Sequence, residues 1–240
     1  MKGKNILIAS CVFPPEPVVS ATISFDLANK LSENNRVTVI SPKPTRPLGY
    51  VFDSLNITKG GQFEHVVTNS YTSAESKIIP RFYESYSFGK HVVKYIKENR
   101  NSLDTVYINS WPIASQYLIV KICEKFKIET IVHIQDIYPE TFINKLPALK
   151  SFFYKLLLPL DKYILKKTRT VVTISSGMKR HLVATRNLDE KSIKVVYNWQ
   201  NIKKIAEVSK KNELFTFVYL GSLSPSAQIE SIIEGFGALN

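Results

Sequence analysis

Two adjacent side chains, Gln135 and Asp136, are the residues most able to do chemistry. They stand directly after the apolar run Ile131–Ile134 in the stretch TIVHIQDIYPE, Thr130 to Glu140. A short run rich in β-branched residues between polar segments is the pattern of a buried parallel strand. Pro139 lacks the N–H that a central strand needs, so the strand must stop near Asp136. A carboxamide and a carboxylate then sit at the carboxyl end of a buried strand, the edge at which open parallel α/β sheets bind ligands. A carboxylate there can act as a general base or stabilise developing positive charge. Three further groups follow apolar runs in the same way: Pro14-Pro15-Glu16, Ser110-Trp111 and Ser175-Ser176, while Glu140 closes the first stretch. Polar groups converging on one sheet edge make a binding cleft. The plainer role for Ser110, Ser175 and Ser176 is to cap the helices they precede. By alternation His133 points to the same side as Gln135; a lone histidine among apolar residues reads as a hydrogen-bonded core residue. His65, His91 and His181 show no metal-ligand spacing. Neither GxGxxG nor GxxxxGK[ST] occurs, so the dinucleotide fingerprint and the P-loop are both missing.

The elements that must hold these groups alternate between strand and helix. Asn5–Ser10 reads as a strand, and the proline-rich loop 11–20 follows it. Ser20 reads as the N-cap of a helix running to Asn34, in which Ile23, Leu27, Ala28 and Leu31 recur at helical spacing. Arg36–Ser41 is the next strand, and Gln62–Thr68 a third. Arg81–Asn99 suits a helix, Thr105–Asn109 a strand and Ile113–Phe126 a helix. After Thr130–Asp136 come a long helix at Pro147–Lys167, a strand at Thr170–Ile174, a helix at Met178–Ala184 and a strand at Ile193–Tyr197. This order predicts an α/β fold: a Rossmann-like parallel sheet with helices on both faces. The charged segment 203–214 reads as a linker. A strand at Phe215–Leu220 and a helix at Gln228–Leu239 then begin a second strand–helix unit. Residues 1–202 therefore form one complete domain, and 215–240 the first piece of another.

Composition narrows the partners. The chain has 240 residues, is 44% hydrophobic and carries a formal net charge of +12. A basic balance suits an anionic membrane surface, a phosphorylated ligand or nucleic acid. Nucleic acid is disfavoured because no basic aromatic platform or recognition-helix motif accompanies the charge. Cys11 and Cys123 are the only cysteines, too few for a disulfide framework. The helix at Pro147–Lys167 has two readings. Its wide apolar stripe can cover the sheet, and its lysine rim can rest on an anionic membrane interface.

Six pieces occur in an order that resembles the family-4 glycosyltransferases. They are FPPE after the first strand, RVTVISPKPTRPLG, QDIYPE, TISSGMKRHL, KVVYN and FVYLGSLSPSAQIESIIEGF. The resemblance covers essentially the whole chain and is closest to bacterial members that build capsule, O-antigen or other surface polysaccharides. It implies the N-terminal, acceptor-side half of a GT-B fold, whose two Rossmann-like domains face a deep cleft. It further implies retaining transfer of a sugar from a nucleotide-diphosphate donor to a lipid-linked or saccharide acceptor. No cofactor or metal is implied, since no DxD motif occurs. The expected location is the cytoplasm, at the inner face of the cytoplasmic membrane. A non-catalytic Rossmann-like module that partners a membrane glycosyltransferase is the alternative.

By the resemblance, Asp136 sits at the cleft where the family places a sugar-contacting polar residue; Asp136 and Gln135 are the expected catalytic residues. Pro15, Glu16 and the loop up to Ser20 face the donor pyrophosphate. Ser175 and Asn198 lie near the interdomain junction, and Gly221 opens the donor-domain loop; Ser110, Trp111 and Glu140 are expected to contact substrate from their place after the strand ends. The chain departs from the family in two places. Pro17-Val18-Val19 replaces a Gly-Gly pair, and Gln135 stands where many relatives carry histidine. The phosphate-binding Arg/Lys pair and paired glutamates of the second domain do not occur in it, so this chain alone is expected to turn over little donor.

Overall fold

The computed structural model describes residues 3–46, 49–50, 52, 62–73, 77–109, 113–143, 150–199, 216–220 and 228–238. The chain divides into two compact units, Met1–Gln200 and Asn201–Asn240.

The first unit contains β1 (Asn5–Ser10), α1 (Val19–Ser32), β2 (Arg36–Pro42), β3 (Glu64–Thr68), α2 (Ile78–Asn99), β4 (Thr105–Asn109) and α3 (Ile113–Phe126). It continues with β5 (Glu129–Ile134), α4 (Glu140–Ile143), α5 (Lys150–Lys167), β6 (Thr170–Thr173), α6 (Ser176–Arg186) and β7 (Ile193–Val195). The seven strands form one sheet in the order β3-β2-β1-β4-β5-β6-β7, and every pairing is parallel. This is the Rossmann-like α/β architecture that the strand–helix alternation predicts. The order runs outward from β1 in one direction and from β4 in the other, so the topological switch lies between them. A crevice forms at the carboxyl ends of the strands flanking such a switch.

Strand alternation sorts the side chains onto two faces. Leu7, Ala9, Val106, Ile108, Val132 and Ile134 pack into one core with residues of α2, α3, α5 and α6. Ile6, Ile8, Tyr107 and Ile131 pack on the other face with Phe13, Ala28, Val37 and Val39. The central strands are apolar on both faces because both are covered. Close approach of α2 to α3 depends on Gly89. A Cβ there would lie 2.9 Å from the Ser115 Cα and 3.0 Å from Leu118 Cδ1. At the same crossing the Ser115 N–H donates to Ser85 Oγ at 2.8 Å, so a side chain of α2 satisfies an open donor in the first turn of α3.

Four expectations shift. The strand before the QD pair ends at Ile134, two residues short of Asp136, because its last pairing is Ile134 with Thr173. The N-cap of α1 is Val18 rather than Ser20, which lies inside the first turn; Val18 O accepts from the N–H groups of Ala21 and Thr22. The helix expected from Arg81 starts at Ile78. The strand expected at Phe215–Leu220 is not formed over 216–220. The 203–214 linker and the expected start of α5 at Pro147 lie outside the described residues.

In the second unit, α7 (Ile229–Gly237) leaves Ile232, Ile233 and Phe236 exposed. Phe217 meets Phe236 edge-on, with ring centroids 5.0 Å apart.

Candidate functional site

At the carboxyl ends of β1, β4 and β5 a cavity of about 120 Å3 opens between the strand ends and the helices. Its polar wall holds Ser20, Asn109, Gln116, His133, Gln135, Asp136 and Asp161. Three residues expected at a site, Gln135, Asp136 and Ser20, therefore come together at the switch point. Asp136 is exposed and Gln135 half-buried.

A directed chain of hydrogen bonds fixes Gln135. Asn109 Nδ2 donates to Ser20 O at 3.0 Å, and a carbonyl can only accept, which orients the amide. Asn109 Oδ1 therefore accepts from Gln135 Nε2 at 2.9 Å. The second N–H of Asn109 donates to Ser24 Oγ. Ser10 Oγ donates to Val12 O at 2.6 Å, so Ser24 donates in turn to Ser10 Oγ at 2.9 Å. The run Gln135, Asn109, Ser24, Ser10, Val12 O points one way throughout, and each bond polarises the next. It ties β5, β4, α1 and β1 together and leaves the Gln135 carbonyl oxygen outside the run. Ser10, Ser24 and Asn109 escaped the sequence reading. The available signal was that two of the apolar strands end on a small polar residue, Ser10 and Asn109.

Asp136 is followed by a segment held by one buried cation. Arg186 is fully buried at the end of α6. Its Nη1 and Nη2 donate to Glu140 Oε1 and Oε2, each at 2.6 Å, and Nη2 also donates to Tyr138 O at 2.6 Å. Its Nε donates to Asp161 Oδ2 at 2.7 Å. His181 Nε2 lies 3.1 Å from Glu140 Oε1. Arg186 thus clamps 138–140 between α5 and α6, directly beyond Asp136. Glu140, expected to contact substrate, is engaged in this clamp and is not part of the cavity wall. Burial pushes the Glu140 carboxyl upward, but the hydrogen bonds from Arg186 and His181 outweigh it and hold the group below its ordinary value. Asp161 goes the other way: burial, with the Glu140 charge adding, lifts it to about 6 against the pull of Arg186. Burial and the nearby Asp136 charge push the Tyr138 phenol up to about 12.

The remaining expected residues are placed elsewhere. Glu16 is buried, and its Oε1 accepts from the N–H groups of Thr45 at 2.6 Å and Arg46 at 3.1 Å. Its carboxylate pins the loop after β1 to the loop after β2 and does not line the cavity; burial raises its pKa. Pro15 is half-buried beside it and is also absent from the wall. Ser175 takes the capping role, accepting from Met178 N–H at 3.1 Å. Asn198 is exposed beyond β7 and away from the cavity wall. Ser110, Trp111 and Gly221 lie outside the described residues. His133 is buried on β5, hydrogen-bonded to Tyr107 as a core histidine would be, yet it also forms part of the cavity wall.

Residues 20–204 match the family model described as Glycosyltransferase Family 4. The chain is 25% identical over 178 residues to the O-antigen chain mannosyltransferase RfbU of Salmonella typhimurium, an alignment covering 66% of this chain and 47% of that protein. Among solved structures it resembles Arabidopsis thaliana UGT89C1 complexed with UDP-L-rhamnose, with a TM-score of 0.51 at 16% identity over 85% of this chain and 54% of that one. Anabaena Alr3699/HepE in complex with UDP-glucose gives a TM-score of 0.50 at 14% identity, covering 98% and 50% respectively. These two likenesses concern the fold. The chain spans about half the length of each of these relatives.

Proposed function

The chain belongs to Glycosyltransferase Family 4, and from that premise we propose that it forms the acceptor-side half of a retaining glycosyltransferase. The observation that carries this reading is the placement of Gln135 and Asp136 together in the wall of a cavity at the topological switch of a parallel sheet. In the whole enzyme a second Rossmann-like lobe supplies the nucleotide contacts, and residues 215–240 begin it. The transferred sugar comes from a nucleotide diphosphate and goes to a lipid-linked or saccharide acceptor of bacterial surface polysaccharide. Similarity to an O-antigen mannosyltransferase supports that acceptor class.

The chemistry asks this half for fixed charge close to the sugar. In a retaining transfer the donor sugar develops oxocarbenium character as the pyrophosphate leaves. A carboxylate held beside it stabilises that charge without reorganising. Asp136 fills this role, and the Arg186 clamp immediately beyond it limits its freedom. Gln135, oriented by Asn109, presents an oxygen that can accept a hydrogen bond from a substrate hydroxyl. Ser20 completes that rim.

The enzyme works at a membrane in this reading. On α2, Ile79, Phe82, Tyr83 and Tyr86 are exposed at helical spacing, and on α5 Phe152 and Leu156 are exposed. Lys77, Lys90, Lys150 and Lys155 are exposed among them. In parallel βα units the helix N-termini lie at the carboxyl edge of the sheet, so both patches sit on the cavity's side of the molecule. Aromatic side chains rimmed by lysine suit an anionic lipid interface. No helix among the described residues is long and apolar enough to cross a membrane.

The deciding experiment is titration calorimetry with UDP- and GDP-sugars, on this chain and on a form extended by about one domain's worth of residues. Binding by the extended form alone, with transfer lost in Asp136→Asn, is expected. If the extended form transfers sugar equally well with Asp136→Asn, the carboxylate has no role in the reaction.

A further inference from the structure

His133 is more than a core histidine. It is 2% exposed and contributes to the cavity wall. Its Nδ1 lies 2.7 Å from the hydroxyl of Tyr107, which is itself buried on the neighbouring strand β4. Its Nε2 is buried with no hydrogen-bond partner among the described residues. Buried polar atoms of this kind are rare, because leaving one unsatisfied costs stability unless something else pairs with it.

The direction of the Tyr107 bond decides what Nε2 offers. Burial raises the Tyr107 pKa, so the phenol keeps its proton. Among the described residues no other partner takes that proton, and an imidazole nitrogen is the better acceptor of the two. Tyr107 therefore donates to Nδ1. A neutral imidazole carries one proton, which must then sit on Nε2. Burial lowers the His133 pKa to about 4, so the ring is neutral across the physiological range. His133, a residue of the cavity wall two positions before Gln135, therefore carries a neutral N–H at Nε2. A neutral donor beside an acidic rim formed by Asp136 suits an uncharged acceptor atom better than a phosphate oxygen.

We propose that His133 is a specificity-determining residue whose Nε2–H, fixed in that tautomer by Tyr107, donates to a hydroxyl oxygen of a neutral sugar ring bound in the cavity. Gln135 supplies the complementary acceptor, so the pair grips a hydroxyl-bearing ring from the α1 face of the sheet. This inference rests on the saccharide-cleft reading above and adds to it the residue that selects a hydroxyl.

The test needs no variant to begin. Imidazole 15N spectra of the chain should show the neutral Nε2–H tautomer down to about pH 5, well above the depressed pKa. Adding a methyl hexoside should shift the Nε2–H signal together with the Gln135 side-chain amide. His133→Phe should weaken hexoside binding about two- to ten-fold, the effect of one neutral hydrogen bond, while His133→Gln, which keeps a donor, should lose less. Tyr107→Phe should release the tautomer and split the imidazole signal between two forms. Inorganic phosphate serves as the control. A proton on Nδ1, a Nε2–H signal that moves with phosphate in place of hexoside, or a Gln135 shift with a silent His133 each overturns the inference while the cleft reading stands. If neither residue responds to hexoside, the cleft reading falls as well.

Discussion

Replacing Arg186 with methionine tests the clamp behind Asp136 most directly. The substitution keeps the volume of the stem but removes the guanidinium. Asp161 then stays buried, with 5% of its side chain exposed, and has lost its counter-ion. Breaking a buried pair by deleting one partner costs about 3–5 kcal/mol. For a domain of this size each kcal/mol moves the melting temperature by about 2–4 °C, so a drop of roughly 6–20 °C is expected. The loss must also depend on pH. Asp161 already titrates high, at about 6, and Arg186 is the one partner pulling it down. Without Arg186 its folded pKa rises further above the unfolded value of roughly 3.9. A raised carboxyl pKa lowers stability as pH climbs from the unfolded value through the folded one. Glu140 has the opposite sign. Held low by Arg186, it adds stability above its unfolded value of roughly 4.3, and that gain is lost as pH falls through its folded pKa. Both effects make the gap between parent and variant widest near neutrality and narrower toward acid. Circular-dichroism melts at about pH 7.5 and about pH 5 measure it. A second variant, Arg186→Met with Asp161→Leu, should regain much of the loss, because a well-packed apolar pair can replace a buried ion pair with little cost. A gap that is equal or larger at the lower pH, or no recovery in the double variant, would refute the reasoning.

Two glycines should respond with opposite signs. Gly89→Ala should destabilise despite alanine's helix-propensity advantage of about 1 kcal/mol, because the new Cβ meets the Ser115 backbone at 2.9 Å and forces α2 from α3. Gly177→Ala, whose Cβ meets only Ser175 Oγ at 3.8 Å, should stabilise by up to about 1 kcal/mol; chemical denaturation of both variants checks the pair. Vesicle sedimentation tests the exposed aromatics. Phe82→Ser with Phe152→Ser should cut binding to anionic vesicles several-fold and leave the melting temperature nearly unchanged, since both rings are more than half exposed.

Much of this architecture is legible in the chain because its signals are local. The runs NILIAS, TVYIN and ETIVHI have too few polar residues to be anything but central strands, and they are the ones flanking the cavity. QDIYPE marks the sheet edge for the same reason, as polar residues and a proline follow a buried run. What could not be read is what depends on distant partners. Arg186 looks like a surface charge in MKRHLVATR, and only the approach of α5 and of 138–140 makes it a buried clamp. Glu16 and Glu140 look like ligand contacts because a carboxylate beside a strand end can serve either purpose; their partners, the backbone donors of 45–46 and the Arg186 fork, are distant in sequence. His133 could be judged core or functional by alternation alone. It takes the Tyr107 hydroxyl to show that one ring nitrogen is spent on structure while the other is left buried without a partner among the described residues.

The position of the switch point also shapes how the domain assembles. β1, β2 and β3 pair with their near neighbours in sequence, as do β4, β5, β6 and β7. The two groups meet along one seam, where Ile6 pairs with Thr105 about a hundred residues later. During synthesis the first group is complete long before its partner strand emerges, and its β1 edge waits unpaired, open to mispairing with other chains. Closing so long a loop is the slow step that a high contact order predicts. The cavity lies on that seam, and the amide of Asn109 stitches β4 to α1 across it. The cavity therefore comes into existence only when the two halves of the sheet have joined, so a chain that stalls before that step has exposed edges and no cavity.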